Sequence, residues 1–282
     1  MLAGKLPQIG VISMVRNDSF FVPRWIKYYS EHLGPENLFL ILDGHDQPLP
    51  EQHEKINVIR LPWVELSRSR GDKNRASIVS SLAESLFMRY DIIIAHDIDE
   101  FLVVDPAIGV TFREFFKQPL RRASISALGL DVGQHLESEK PIDISKPFLE
   151  QRSFAHVSAR YTKAVVASRP IEWGSGFHRV RGRNLHIDPN LYLFHFGMVD
   201  YGKSTEKIDD QSLLKAGWKG HFDRRLEIFD LITRKTPIDG DKFFKRARFR
   251  QNLFRPIYAW NKPGMLKEKP IIRIPHRFRS IV

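Results

Sequence analysis

The sequence predicts an α/β protein built on a largely parallel sheet flanked by helices. Three observations carry this. Short apolar runs at Ile9–Val15, Leu38–Leu42 and Ile92–Ala95 are separated by segments with helical periodicity. Strands that alternate with helices are the pattern of parallel sheets with right-handed crossovers. The third run leads into Asp97-Ile98-Asp99-Glu100, three carboxylates within four residues, at the strand end where open α/β sheets bind their ligands.

The elements follow in order. Ile9–Val15 is the first strand, ended by Arg16-Asn17-Asp18. Pro23 suits the first turn of a helix that runs to about Leu33, with Ile26, Tyr29 and Leu33 on one face and Gly34-Pro35 as its stop. Leu38–Leu42 is the second strand and delivers Asp43 at its carboxyl end, and Asn57–Leu61 is a third with weaker alternation. A polar, basic segment from Ser67 to Arg75 leads into a helix whose apolar face is Val79, Leu82, Ala83, Leu86 and Phe87. Ile92–Ala95 reads as a strand buried on both faces. Beyond Asp105-Pro106 the sequence predicts a helix near Thr111–Lys117, a strand near Ala123–Leu130, a polar stretch to Ser145, and an alternating strand over Leu191–Gly197 that carries His195. Residues 206–282 read as a basic, mainly helical C-terminal extension, with Phe222, Leu226 and Phe229 on one helix face and a Phe/Arg/Lys cluster from Phe243 to Arg250. The domain expected before it spans 1–205, with a nucleotide-binding half (1–105) and an acceptor half (106–205).

Composition narrows the function. The 282 residues are 42% hydrophobic with no run long enough to span a membrane, and the N-terminus lacks a signal-peptide pattern, so a cytoplasmic location is expected. Cysteine is absent, which excludes thiolate metal sites, disulfides and cysteine nucleophiles. No Gly-x-Gly-x-x-Gly follows the first strand and no P-loop motif occurs, which argues against dinucleotide and P-loop chemistry. The net charge of +11 is uneven: residues 1–150 hold 17 Lys and Arg against 21 Asp and Glu, and residues 151–282 hold 27 against 12, a balance of −4 against +15. Such asymmetry marks a surface for polyanions, here read as peripheral attachment to the inner face of a membrane, with no specific nucleic acid as partner; its bland counterpart is a solvated basic face.

The carboxylate cluster points to a cation or a phosphate. Residues two apart in an extended stretch face the same way, so Asp97 and Asp99 can face one ion or one diphosphate. Oxygen ligands of this kind suit Mg²⁺ or Mn²⁺. The alternative reading of acidic residues at a strand end is loop chemistry or helix capping.

Several segments together resemble a known family: Met14-Val15-Arg16-Asn17-Asp18, Trp25-Ile26-Lys27-Tyr28-Tyr29 before Leu33-Gly34, Leu40-Ile41-Leu42-Asp43-Gly44, Asp97-Ile98-Asp99-Glu100-Phe101, and the later Gly176-Phe177-His178 and His195-Phe196. Over residues 8–207 the chain resembles family-2-like bacterial glycosyltransferases of GT-A fold. The resemblance implies a GT-A-like, mixed but mostly parallel sheet flanked by helices and a metal-dependent transfer from a UDP- or GDP-sugar, with Mn²⁺ or Mg²⁺, to a saccharide or lipid-linked acceptor in polysaccharide or glycoconjugate synthesis. It implies that Asp43 contacts the base or ribose, that Asp97 contacts the ribose or the metal, that Asp99 binds the metal, and that His195, with His178 as competitor, completes the site. Arg68, Arg70 and Lys73 are candidate cationic contacts to the nucleotide. An inverting transfer needs a carboxylate to take the acceptor's proton, and Asp131 and Glu172 are the candidates by position, because the Glu-Asp pair that marks the base in many relatives is missing. Two rivals are a polyanion-binding protein whose acidic cluster is structural and a phosphohydrolase with Asp97 as nucleophile.

Overall fold

The computed structural model describes residues 6–206, 219–255 and 257–282, and the side chains of residues 219–225 and 258 lie outside the description. Its first half is a parallel β/α unit. β1 (Ile9–Val15), α1 (Val22–Leu33), β2 (Leu38–Asp43), β3 (Asn57–Leu61), α2 (Arg68–Leu86) and β4 (Ile92–Ala95) follow one another, and the strands pair in parallel in the order β3-β2-β1-β4. Every residue of β1 and β4 is buried, as expected of central strands covered on both faces.

Period-two alternation decides which helix covers which face. Ile9 and Val11 of β1 and Ile92 and Ile94 of β4 join one core with Trp25, Ile26 and Tyr29 of α1. Ile12, Met14, Ile93 and Ala95 face the opposite core with Ala76, Val79 and Ala83 of α2. Pro23 sits in the first turn of α1, where its missing N–H has no helical partner to lose.

After β4 the alternation with helices stops and the sheet becomes mixed. The later elements are β5 (Glu100–Val104), α3 (Phe112–Phe115), β6 (Ser124–Gly133), α4 (Phe148–Gln151), β7 (Phe154–Val157), β8 (Val166–Ala167), β9 (Ile187–Met198), α5 (Tyr201–Glu206), α6 (Lys219–Arg234), β10 (Ile238–Asp239), α7 (Gly240–Leu253) and β11 (Ile271–Arg273). Among the described residues the sheet has eleven strands in the order β10-β11-β7-β6-β8-β4-β1-β2-β3, with β9 paired to both β5 and β6. The continuous parallel part is β3-β2-β1-β4; β6–β9 and β10–β11 are further parallel pairs and the remaining pairs are antiparallel, so the sheet is mixed, with less parallel pairing than the sequence suggested. The short strand β8 pairs antiparallel to both β4 and β6, which removes the need for a crossover helix.

The C-terminal region shares the sheet and core of the rest. β11 pairs antiparallel with β7, and Phe243, Phe244, Phe278 and Val282 belong to the same core as α1 and β9. Arg277 ties this region to the end of β5 through Asp105 (2.6 Å) and to the start of α7 through Asp241 (2.6 Å). Phe229 is buried beside the sheet as its helical spacing predicts, and Leu226 is half-buried; Phe222 of that expected face lies outside the described side chains.

Candidate active site

Parallel strands bring their carboxyl ends to one edge, and there a cleft of about 1780 Å³ opens. Its walls carry Arg16, Asn17 and Asp18 after β1, Asp43 at the end of β2, Trp63 after β3, and Asp97 and Asp99 after β4. Across from them stand Asp131 of β6, the Tyr161 and Lys163 turn, His178, and His195 of β9.

Strand register brings the acidic cluster and the histidine together. β9 pairs antiparallel with β5, placing His195 opposite Glu100, and parallel with β6, placing His195 opposite Asp131. The Phe196 N–H donates to the Asp99 carbonyl at 2.9 Å, locking the acidic turn to the same strand. His195 then bridges two carboxylates, with Nδ1 2.6 Å from Asp131 Oδ1 and Nε2 3.1 Å from Asp99 Oδ2. Tyr161 stacks on its ring at 3.7 Å between centroids. Burial disfavours the charged imidazole, but the Asp99 and Asp131 carboxylates outweigh it and raise its pKa to about 9.

Asp97 has a different environment. Arg75 Nη1 and Lys163 Nζ each lie 2.8 Å from one of its oxygens, and Lys163 also lies 2.6 Å from Glu100 Oε1. Burial opposes ionisation of Asp97, yet these two cations hold its carboxyl well below the usual carboxylate range. Glu100 is fully buried, which pushes its pKa up to about 7 against the pull of Lys163. Below this turn His96 Nε2 meets the Tyr29 hydroxyl at 2.6 Å, and burial lowers its pKa to about 4; a neutral ring therefore accepts from Tyr29 while its Nδ1–H donates to the Asp97 carbonyl (2.8 Å).

A glycine makes this arrangement possible. The Tyr161–Lys163 turn crosses β6 so closely that a Cβ at Gly129 would overlap the Tyr161 carbonyl carbon and the Thr162 nitrogen. The Gly129 N–H donates to Thr162 Oγ1 at 2.9 Å and the Ser158 N–H to the Gly129 carbonyl at 3.0 Å.

Not every predicted residue converges. Because α2 begins at Arg68, earlier than the polar character of 67–75 implied, residues 68, 72 and 75 share the helix face that lines the cleft. Arg70 and Lys73 fall on the other side, exposed and away from the cleft. Glu172 is likewise outside it, exposed and paired with Arg181 at 3.2 Å. Asp131 is in place but committed to His195, which fits an orienting carboxylate better than a base. Arg75 and Lys163 escaped the sequence reading, although three clustered carboxylates require nearby cations.

The donor set fits a divalent cation at Asp99 and His195, provided the cation displaces the Nε2 proton that the Asp99 and Asp131 carboxylates otherwise favour. The facing atoms of Asp99 and His195 are 3.1 Å apart, and adjacent ligands around an octahedral ion at about 2.1 Å are separated by about 3 Å. Asp131 behind Nδ1 is the outer carboxylate that metal-bound histidines commonly carry. Asp97, expected as a ligand too, has both oxygens engaged by cations. Among the described residues no group of three or more His, Cys, Asp or Glu side chains forms a metal site, so the remaining positions would fall to water and substrate oxygens, as is common for Mg²⁺ with phosphates.

No protein-family model matches the chain, and no curated protein matches it. Among solved structures the chain is similar to a mannosyltransferase, PcManGT, from Pyrobaculum calidifontis in complex with GDP-Man and Mn²⁺, at 11% identity over 91% of this chain and 84% of that one, with a TM-score of 0.37. So loose a superposition carries no inference about this chain, and the functional reading rests on the geometry above.

Proposed function

We propose that the chain is a glycosyltransferase of GT-A-like fold that uses Mn²⁺ or Mg²⁺ to move a sugar from a nucleoside diphosphate donor to a saccharide or lipid-linked acceptor. The observation that supports this best is the Asp99–His195 pair, backed by Asp131, in a cleft at the carboxyl ends of four parallel strands. A divalent ion bound there supplies positive charge against the charge that develops on the leaving diphosphate.

The protein's own groups do the rest. Asp131 keeps the proton on His195 Nδ1 and thereby turns Nε2 toward Asp99, while Tyr161 fixes the plane of the ring. Arg68 and the N-terminal turn of α2 give one wall of the cleft the positive potential that a diphosphate needs. Asp43 stands where it can accept from a ribose or base, and Trp63, half-exposed with Arg16 4.8 Å over its ring, offers an aromatic face at the same end. Arg75 and Lys163 keep Asp97 ionised and hold the turn that presents Asp99.

A phosphohydrolase with Asp97 as nucleophile is disfavoured because both of its oxygens are engaged by cations. Incubation with UDP- and GDP-sugars, Mn²⁺ and a panel of saccharide acceptors should release nucleoside diphosphate as the sugar passes to an acceptor hydroxyl, and Asp99→Asn should abolish the release. Release that survives Asp99→Asn would overturn the reading.

A further inference from the structure

We propose that the outer face of α7 and the loop after it form a docking surface for an anionic membrane, beside the mouth of the cleft. α7 buries Phe243, Phe244, Ala247 and Gln251 and exposes Lys242, Lys245, Arg246, Phe249 and Leu253. The exposed set is spaced i, i+3, i+4, i+7 and i+11, which places all five on one helix face, basic at its start and apolar at its end. The apolar end continues into Phe254 (62% exposed), Ile257 (98%) and Trp260 (49%).

These side chains stand on a held loop. The Gly264 N–H donates to the Gln251 carbonyl at 2.7 Å, folding the loop back on the end of α7. Arg255 donates to the Trp260 carbonyl at 2.7 Å and to Asn184 Oδ1 at 2.8 Å, and Asn261 donates to the Val180 carbonyl at 3.1 Å. Large apolar groups presented outward on an anchored loop remain exposed in water unless something apolar receives them.

Charge selects the receiver. Residues 240–270 hold nine Lys and Arg against two acids; both acids are paired within the chain, Asp241 with Arg277 and Glu268 with Arg250, and Lys269 pairs with Glu227, which still leaves Lys242, Lys245 and Arg246 on the outer face. A second copy of the same face would bring like charges together. An apolar tip flanked by basic side chains is the composition of interfacial helices, whose apolar residues enter the headgroup boundary while the cations meet anionic lipid.

The position adds a consequence that rests on the transferase reading. Lys262, Pro263 and Met265 of this same loop line the cleft. A chain docked through Phe249, Ile257 and Trp260 would hold the cleft mouth near the lipid headgroups, where the saccharide of a lipid-linked acceptor lies.

Co-sedimentation of the full chain with phosphatidylglycerol-containing and with pure phosphatidylcholine vesicles tests the surface without any nucleotide, so it succeeds or fails independently of catalysis. Binding to the anionic vesicles should exceed binding to the neutral ones at least about tenfold at low salt. The exposed triple variant Phe249→Ser/Ile257→Ser/Trp260→Ser and the charge variant Lys242→Gln/Lys245→Gln/Arg246→Gln should each lose about tenfold or more, with unfolding midpoints close to that of the parent. Equal binding to both vesicle types, or an apolar variant that binds like the parent, would overturn the proposal. So would a dimer of the parent that the apolar variant dissolves, or single-stranded RNA that binds more tightly than vesicles.

Discussion

Lys163→Met removes the ammonium that lies 2.8 Å from Asp97 and 2.6 Å from Glu100 while leaving an unbranched side chain in the same space. Lys163 is 2% exposed and Glu100 fully buried, so water cannot replace the lost charge. Breaking a buried ion pair by deleting one partner costs about 3–5 kcal/mol. The lower end, about 3 kcal/mol, is expected because Asp97 keeps Arg75 at 2.8 Å. Denaturant unfolding at neutral pH reads this as a fall in the midpoint at unchanged slope. A second variant, Lys163→Met/Glu100→Gln, also replaces the buried acid, which takes up a proton once its ammonium partner is gone, and should recover at least about 1 kcal/mol relative to the sum of the two single changes. A loss below about 1 kcal/mol for Lys163→Met, or single effects that add within about 0.5 kcal/mol, would refute the view that Lys163 balances this cluster.

Two further outcomes follow from the same contacts. Gly129→Ala forces the Tyr161–Lys163 turn off β6; it should cost about 1–3 kcal/mol of stability and weaken nucleoside diphosphate binding, whereas parental unfolding and calorimetry curves would contradict the close-approach account. At the C-terminal tie, burial alone would raise the Asp105 carboxyl, but Arg277 and the Ala107 N–H outweigh it and hold it below its ordinary value. A depressed carboxylate stabilises the fold fully above its unfolded value, about pH 4, and loses that contribution as pH falls through the lower folded value. The stability gap between the parent and Arg277→Met should therefore be about 1.5–3 kcal/mol at neutral pH and narrow below about pH 4, and a gap that widens on acidification would contradict the pairing.

The sequence made the first half of the fold legible because its strands are central. Ile9–Val15 and Ile92–Ala95 are the observed strands residue for residue, since continuous apolar runs mark strands covered on both faces; the edge strand Asn57–Leu61 has the same bounds as expected despite its weaker pattern. β7, β10 and β11 were not legible: each is two to four residues long, and pairing across long sequence separations fixes them more than local pattern does. β5 was hidden because Glu100 and the apolar residues after it read as a continuation of the acidic turn.

In the site, Asp43, Asp97, Asp99 and His195 could be placed together because each ends or lies on a recognisable strand. Lys163 could not, since a single lysine before Ala164-Val165-Val166-Ala167 looks like an ordinary loop cation until the Gly129 crossing carries it inward. Helix phase explains the basic residues. Counting from Arg68 as the first helical position puts Arg75 on the cleft face and turns Arg70 and Lys73 away.

The claim that Asp99 and His195 together hold a divalent cation against a nucleoside diphosphate is tested most directly by calorimetry with UDP and GDP, with and without Mn²⁺. The parent should bind at least one of the two nucleotides, at least about tenfold more tightly with Mn²⁺, and Asp99→Ala and His195→Ala should each lose that gain. Binding that is indifferent to Mn²⁺, or a Mn²⁺ gain that survives in Asp99→Ala, would contradict the account.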